Sequence, residues 1–373
     1  MIDEAEKRAV MRVLDGPTLT HGPLVKAFEA DFAAFTGAGH AVATSSCAAA
    51  LHLACLALDI GPGDEVLVSA QTHIATAHAV ALCGARCVFV DSERRTGNVD
   101  PDRIEAAITS KTKAIALVHY LGVPAPMPRI MSVAERHGLA VIEDCALAIG
   151  ASIDGTHVGL FGDAGCFSFY PVKHMTTAEG GMLITRRADV AHVVSQYRAF
   201  GIDRNVVGER PVPGMYDVQL LGLNYRMNEI GAAMGIEQLK KLPGFLAARR
   251  ENFTRLADGL TKIDGVDVLG ASEPVDHCAC YCLVMLLDVP LCEKRPQLID
   301  AIKARGVGTS IYYPQPVPRM TYYQDKYGTP ESDYANAAWI SDTSIALPVG
   351  PHVSADDVDY MIASIAAAIE EVR

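Results

Sequence analysis

Cys166-Phe-Ser-Phe-Tyr-Pro-Val-Lys-His-Met-Thr-Thr-Ala-Glu-Gly-Gly-Met182 places one lysine, Lys173, just past a short apolar strand and just before a Thr-Thr…Gly-Gly turn. Upstream, the strand-like run Leu139-Ala-Val-Ile-Glu-Asp144 ends in a carboxylate. Around these two runs, from about Gly22 to Leu242, apolar β-type segments alternate with helix-type segments. Leu24, Val25, Phe28, Phe32 and Phe35 recur at helical spacing. Strands are expected at 41–44, 65–69, 87–91, 114–119 and 139–144, with helices at 46–58, 73–83, 101–108 and 128–137 between them. Such alternation implies βαβ units: an α/β fold with a mostly parallel central sheet and helices on both faces. Ligands of these sheets sit at the carboxyl ends of strands. Thr72, His119, Asp144 and Lys173 all fall at or just beyond such ends.

The rhythm changes further on. Residues 225–262 read as long helices interrupted near Pro243-Gly244, followed by a strand at 277–288, a helix near 296–304 and a strand at 307–313. The last helix starts after Ser354, with Asp357 as a weaker form of the capping-box partner. The expected division is a large domain, 1–245, and a smaller C-terminal α+β domain, 246–373. The stretch Gly201–Gly214 (GIDRNVVGERPVPG) is the most loop-like and is expected to act as an active-site flap.

Bulk properties narrow the function. A net charge of −12 opposes a general nucleic-acid or membrane-surface binder, while leaving room for a locally basic pocket. The N-terminus Met-Ile-Asp-Glu-Ala-Glu-Lys-Arg has no signal-peptide character, and no apolar run approaches a membrane span. Ten cysteines without regular spacing suit a reduced, cytoplasmic chain. His277-Cys-Ala-Cys-Tyr-Cys282 would put three thiols on one face of a strand. Zinc sites pair cysteines differently, so these read as small core residues and no metal is expected.

A lysine at one strand end and an aspartate at another is what pyridoxal 5′-phosphate (PLP) needs. Lys173 would form a Schiff base with the cofactor aldehyde and later shuttle a proton. Asp144 would keep the pyridine nitrogen protonated, so that the ring absorbs electrons. The ordinary alternatives are a surface lysine and a helix N-cap aspartate; the two residues together favour the cofactor. The phosphate would sit on the amides of Ser46, Cys47 and Ala48, which open an Ala-rich helix, with Ser168 adding a hydroxyl. His73 follows a strand and is expected to stack on the pyridine face, although a hydrogen-bonded core histidine would look the same.

The chain resembles the DegT/StrS-type aminotransferases, PLP-dependent enzymes of fold type I that act mainly on nucleotide-linked keto-sugars. The resemblance rests on Gly22-Pro-Leu-Val-Lys-Ala-Phe-Glu29, Gly61-Pro-Gly-Asp-Glu-Val66, Lys111-Thr-Lys-Ala-Ile115, Val118-His-Tyr-Leu-Gly122, Ile142-Glu-Asp144, Phe167-Ser-Phe169 with Lys173, Gly222-Leu-Asn-Tyr-Arg-Met227 and Ala346-Leu-Pro348. It implies a homodimer with a shared active site, in which Asn224 reaches the phosphate from the neighbouring subunit. It also implies L-glutamate as donor: glutamate would load the cofactor and leave as 2-oxoglutarate, and a nucleotide-linked keto-sugar would take up the amino group. The sequence departs from the family pattern at Cys47-Ala48 (usually Gly-Thr), Leu147 (usually Gln), His73 (usually an aromatic) and Pro318 (usually His), which bear on the substrate. Arg198, Arg204, Arg210 and Arg319 are candidates for the diphosphate. The rival readings are a sugar dehydratase, which Lys173 opposes because that chemistry uses histidine there, a transaminase for a cyclitol or another non-nucleotide ketone, and a non-catalytic PLP-binding regulator.

Overall fold

The computed structural model describes residues 1–202 and 216–373. Arg204, Arg210 and most of the expected flap lie outside the described residues. The strands run β1 (His40–Thr44), β2 (Glu65–Ser69), β3 (Arg86–Val90), β4 (Thr112–Val118), β5 (Ala140–Asp144), the two-residue pair β6 (Ser152–Ile153) and β7 (Thr156–His157), then β8 (Ala164–Ser168) and β9 (Gly181–Thr185). All but β6 and β7 form one sheet in the order β1-β9-β8-β5-β4-β2-β3. Strand β9 is antiparallel to both its neighbours; the other adjacent pairs are parallel.

Side chains on these strands alternate between the two faces. Val66, Val68, Ala114, Ala116, Ile142 and Cys166 pack into one core, while Leu67, Ile115, Leu117 and Val141 pack into another on the opposite face. Covering both faces is what a parallel sheet requires. The helix Cys47–Ala57 lies on the first face through Cys47, Ala50, Leu51, Leu53 and Ala54. The helix Pro23–Thr36 clamps β8 on the other side: Phe28 stands 5.3 Å from Phe169 and Phe32 stands 5.2 Å from Phe167, ring centre to ring centre. All four rings are essentially inaccessible, each worth roughly 1.5–3 kcal/mol of burial.

The expected interruption at Pro243 is absent. One helix, Glu229–Leu260, runs through it and through the 245/246 position. A proline inside a helix costs about 3 kcal/mol. Here Leu239, Leu242 and Leu246 are buried in the core against Phe28 and Phe169, while Leu256 and Leu260 are buried in the C-terminal core. At about 1.5–3 kcal/mol each, these side chains outweigh the lost hydrogen bond. The C-terminal core also holds an antiparallel sheet of β10 (Val266–Val268), β11 (Leu283–Leu287) and β12 (Ser344–Leu347), covered by the helices Arg295–Ala304 and Ala355–Val372. Ser354 and Asp357 form a full capping box at the last helix.

Two strands expected there are shorter. The 277–288 strand contracts to β11, because Val275–His277 forms a 3-10 turn and Cys280 has a left-handed φ of 48°. The kink notwithstanding, Cys278, Cys280 and Cys282 all line one small cavity. Cys278 and Cys280 pack with Val123, and Cys282 packs with Leu147 and Tyr281. Of the expected 307–313 strand, a bridge between Ser310 and Ala346 remains.

Candidate active site

Strand β5 delivers Asp144 to the carboxyl end of the sheet, where it is only 2% exposed. A buried carboxylate needs donors. The hydroxyl of Thr76 donates to Oδ2 at 2.7 Å and the amide of Ala146 to Oδ1 at 3.0 Å, while the Cys47 thiol lies 4.0 Å from Oδ1. Thr72 and Thr76 lie 2.8 Å apart, oxygen to oxygen, across the start of the helix Ile74–Leu82. The carboxylate is thereby fixed in orientation with acceptor capacity left over.

Lys173 rides on the loop between β8 and β9. The loop is braced at its neck: the amide of Phe169 donates to the Gly180 carbonyl, and the amide of Thr177 and the hydroxyl of Thr176 both donate to the Phe169 carbonyl. Met175 and Phe169 anchor it in the core. The Lys173 amine stands 5.2 Å from the centre of the Tyr281 ring. Burial lowers its pKa, opposed by the negative charge of Asp144. This is the environment an imine-forming lysine requires.

Ser46 caps the helix Cys47–Ala57, its hydroxyl accepting from the amide of Ala49 at 3.1 Å. First-turn amides have no partner within a helix, which leaves those of Cys47 and Ala48 for an anion. Gly181 passes directly behind this turn. A β-carbon there would come within 2.4 Å of the Ser46 carbonyl carbon, so only glycine lets β9 approach. Ser168 closes β8, and its hydroxyl accepts weakly from the amide of Tyr170 at 3.4 Å. The amide of Ser45 donates to the Tyr225 carbonyl at 2.8 Å, which brings the segment carrying Asn224 alongside the same chain's helix start. Asn224 is exposed.

His73 has a definite local role. It is the N-cap of the helix Ile74–Leu82, with Nδ1 accepting from the amide of Ala75 at 3.2 Å, and its ring stands 5.7 Å from that of Tyr313. Burial lowers its pKa against the raising effect of Asp144, which keeps the ring neutral. His73 remains exposed to solvent overall.

Leu147 is buried among Tyr120, Leu121 and Tyr281, and Pro318 is buried in the turn Val317–Arg319. Arg198 donates to Glu29 and to the Ala43 carbonyl, at 2.5 and 2.6 Å. Arg319 pairs with Asp342 at 2.9 Å. Both guanidinium groups, candidates for the diphosphate, thus have intramolecular partners. His119 serves the opposite face of the sheet. Its Nε2 lies 2.9 Å from Glu143 and its Nδ1 accepts from the amide of Ala125. Glu143 also accepts the amides of Gly159, Phe161 and Gly162. With Cys145 these residues form a metal-like group, but both carboxylate oxygens are already filled.

Sequence reasoning missed Thr76, Tyr281, Tyr313 and Glu143. The spacing of Thr72 and Thr76, four residues apart at a helix start, was the available signal for the first. Tyr281 and Tyr313 arrive from the C-terminal part of the chain, and nothing local marks them.

The sequence model of the DegT/DnrJ/EryC1/StrS aminotransferase family matches residues 1–366. The chain is 37% identical over 373 residues to the spore coat polysaccharide biosynthesis protein SpsC of Bacillus subtilis, covering 98% of this chain and 94% of that one. Among solved structures it is similar to Helicobacter pylori PseC, an aminotransferase involved in the biosynthesis of pseudoaminic acid. There the identity is 25%, the TM-score 0.93, and the coverage 100% of this chain and 98% of that one. The putative sugar aminotransferase Spr1654 of Streptococcus pneumoniae is 27% identical, with coverage of 100% and 98%. Its PMP form gives a TM-score of 0.94 and its PLP form 0.92.

Proposed function

We propose that this chain, which belongs to the DegT/DnrJ/EryC1/StrS aminotransferase family and is a transaminase, moves the amino group of L-glutamate to a nucleotide-linked keto-sugar with PLP as cofactor. The observation that carries the reading is the pairing of a half-buried lysine of lowered pKa with a buried aspartate whose charge acts on it. The donor set fits PLP: an amine at Lys173, a carboxylate at Asp144, two unbonded helix amides at Cys47 and Ala48, and a glycine floor at Gly181. When bound, PLP supplies an aldehyde that takes up the amino group and a ring that accepts electrons released at the reacting carbon.

The protein does the rest. Asp144, oriented by Thr76 and Ala146, keeps a proton on the ring nitrogen. Cys47, Ala48 and Ser168 fix the phosphate end. His73 covers one ring face from the helix start it caps. The Lys173 amine, neutral for a larger fraction of the time because it is buried, holds the aldehyde end and then carries the proton between the two reacting carbons. An exposed Asn224 suits an asparagine that completes the site of a neighbouring copy, so we take the working unit to be a homodimer. The free thiols of all ten cysteines suit a reducing compartment such as the cytoplasm.

Borohydride reduction of the purified holoenzyme, followed by peptide mapping, should label Lys173, and Lys173→Ala should lose the label together with turnover. Label at another lysine, or unchanged turnover in Lys173→Ala, would overturn the site. A screen of keto-sugars with L-glutamate should then release 2-oxoglutarate. A ketone without a nucleotide as the sole acceptor would overturn the substrate assignment.

A further inference from the structure

Arg249, on the helix Glu229–Leu260, is 7% exposed and incompletely paired. Its Nη1 donates to the carbonyls of Tyr281 at 2.8 Å and Cys280 at 3.4 Å. Its Nε is buried without a partner, and among the described residues Nη2 has none either. A guanidinium keeps its charge even when buried, and a buried charge with unused donors calls for an anion. The group lines a cleft of about 440 Å³ whose walls also carry Thr309, Ser310, Tyr281, Cys282 and His352. Among the described residues no carboxylate lines it, in a chain whose net charge is −12.

The cleft adjoins the surroundings of Lys173. Val172 lines it, and so does Tyr281, whose ring centre is 5.2 Å from the Lys173 amine. Cys282 lines it as well and bears electrostatically on the same amine. A molecule reacting at Lys173 can therefore extend past Tyr281 into the cleft. The far carboxylate of a five-carbon amino acid lies roughly 4–5 Å from its amine-bearing carbon, taking bonds of about 1.5 Å.

We propose that this cleft is the subsite for the carboxylate of the amino donor remote from the reacting amine, with Arg249 as its anchor. Arg249 is then the residue that selects dicarboxylic over monocarboxylic amino donors. This rests on the transamination reading above. The planar fork of arginine suits a carboxylate in two-point contact, and the Thr309 and Ser310 hydroxyls offer further donors at the rim.

The test follows the half-reaction of the holoenzyme with L-glutamate and with L-alanine, by loss of the imine absorbance, in the parent protein, Arg249→Lys and Arg249→Met. Calorimetric titration with glutarate, which has both carboxylates and no amine, reads binding apart from chemistry. In Arg249→Met the half-saturating L-glutamate concentration should rise on the order of 10²-fold, with L-alanine unchanged, and glutarate binding should be lost. Arg249→Lys should fall between, because it keeps the charge and loses the fork. Equal weakening of both donors overturns the inference, as does undiminished glutarate binding in Arg249→Met. If neither donor reacts with the parent protein, transamination from these donors fails and the glutarate arm alone decides: binding that depends on Arg249 keeps the dicarboxylate site, and binding that does not overturns it. If Arg249→Met does not fold, a glutarate soak of parent crystals answers instead. A carboxylate within hydrogen-bond reach of Arg249 supports the subsite, and glutarate bound elsewhere overturns it.

Discussion

Glu143 and Asp144 are consecutive carboxylates on one strand, both buried, at 0% and 2% exposure, and they do opposite things. The alternation of β5 sends Glu143 to the face shared with Val141 and Asp144 to the face shared with Ile142. On its side Glu143 meets three backbone amides and the His119 ring, which fill both oxygens. Asp144 meets one hydroxyl, one amide and the distant Cys47 thiol, and its field reaches Lys173. Burial is common to both residues. What separates the brace from the proposed cofactor partner is acceptor capacity left over. Three substitutions and a titration can break or sharpen that contrast.

The largest effect belongs to Asp144→Ala. Removing the group that holds the ring nitrogen's proton should lower kcat by about 10²–10⁴-fold. The urea midpoint should hardly move, because Thr76 and Thr72 can satisfy one another. An enzyme that keeps its rate and loses its fold would show Asp144 to be another brace. Glu143→Ala should do the reverse. It strands three amides and a histidine in the interior and should cost about 3–5 kcal/mol, read as a lower denaturation midpoint. The turnover of what remains folded should stay near normal. Thr76→Val lies between the two. The lost hydrogen bond to a charged acceptor is worth about 1.5–3 kcal/mol, so kcat should fall by roughly ten- to a hundred-fold, with the midpoint changed far less. A fall in stability with unaltered kcat would mean that Thr76 does not orient the acid.

The contrast also marks how far sequence reading reaches. The strand 65–69 was legible residue for residue, and Asp144 and Lys173 stood out, because each sits where an apolar run stops. Strand β9 carries a plain run, Gly181-Met-Leu-Ile-Thr185, but no local signal says that it inserts antiparallel beside β8. That placement depends on Gly181 meeting the turn at Ser46, a contact across more than a hundred residues. Pro243 read as a break because its local cost is visible in sequence, while the leucines that offset it draw their energy from two distant cores. Tyr281 and Arg249 were invisible for the same reason: their importance is a matter of what folds against them. Sequence could not show either that Arg198 pairs with Glu29 and Arg319 with Asp342, since those acids are brought close only by the fold.

The smallest effect is electrostatic and separates the two acids by pH. In the cofactor-free protein, capture of PLP requires a neutral Lys173 amine. Burial lowers the pKa of that amine and Asp144 raises it. The capture rate should climb with pH and level off once pH exceeds the lowered pKa, earlier than for an exposed lysine. The same amine should make the cofactor-free protein more stable as pH rises from the lowered pKa to the ordinary lysine value, because over that window the unfolded chain holds a proton that the folded chain has lost. Asp144→Asn removes the raising influence, so the midpoint of the capture profile should move to lower pH. Glu143→Gln alters a charge on the far face of the sheet, which does not figure among the influences on Lys173, and should leave the midpoint in place. Stopped-flow absorbance of imine formation across pH measures all three proteins. A midpoint that rises in Asp144→Asn, or that shifts as far in Glu143→Gln, would mean that the two faces of β5 are not electrically distinct and that Asp144 owes its role to something other than its view of the lysine.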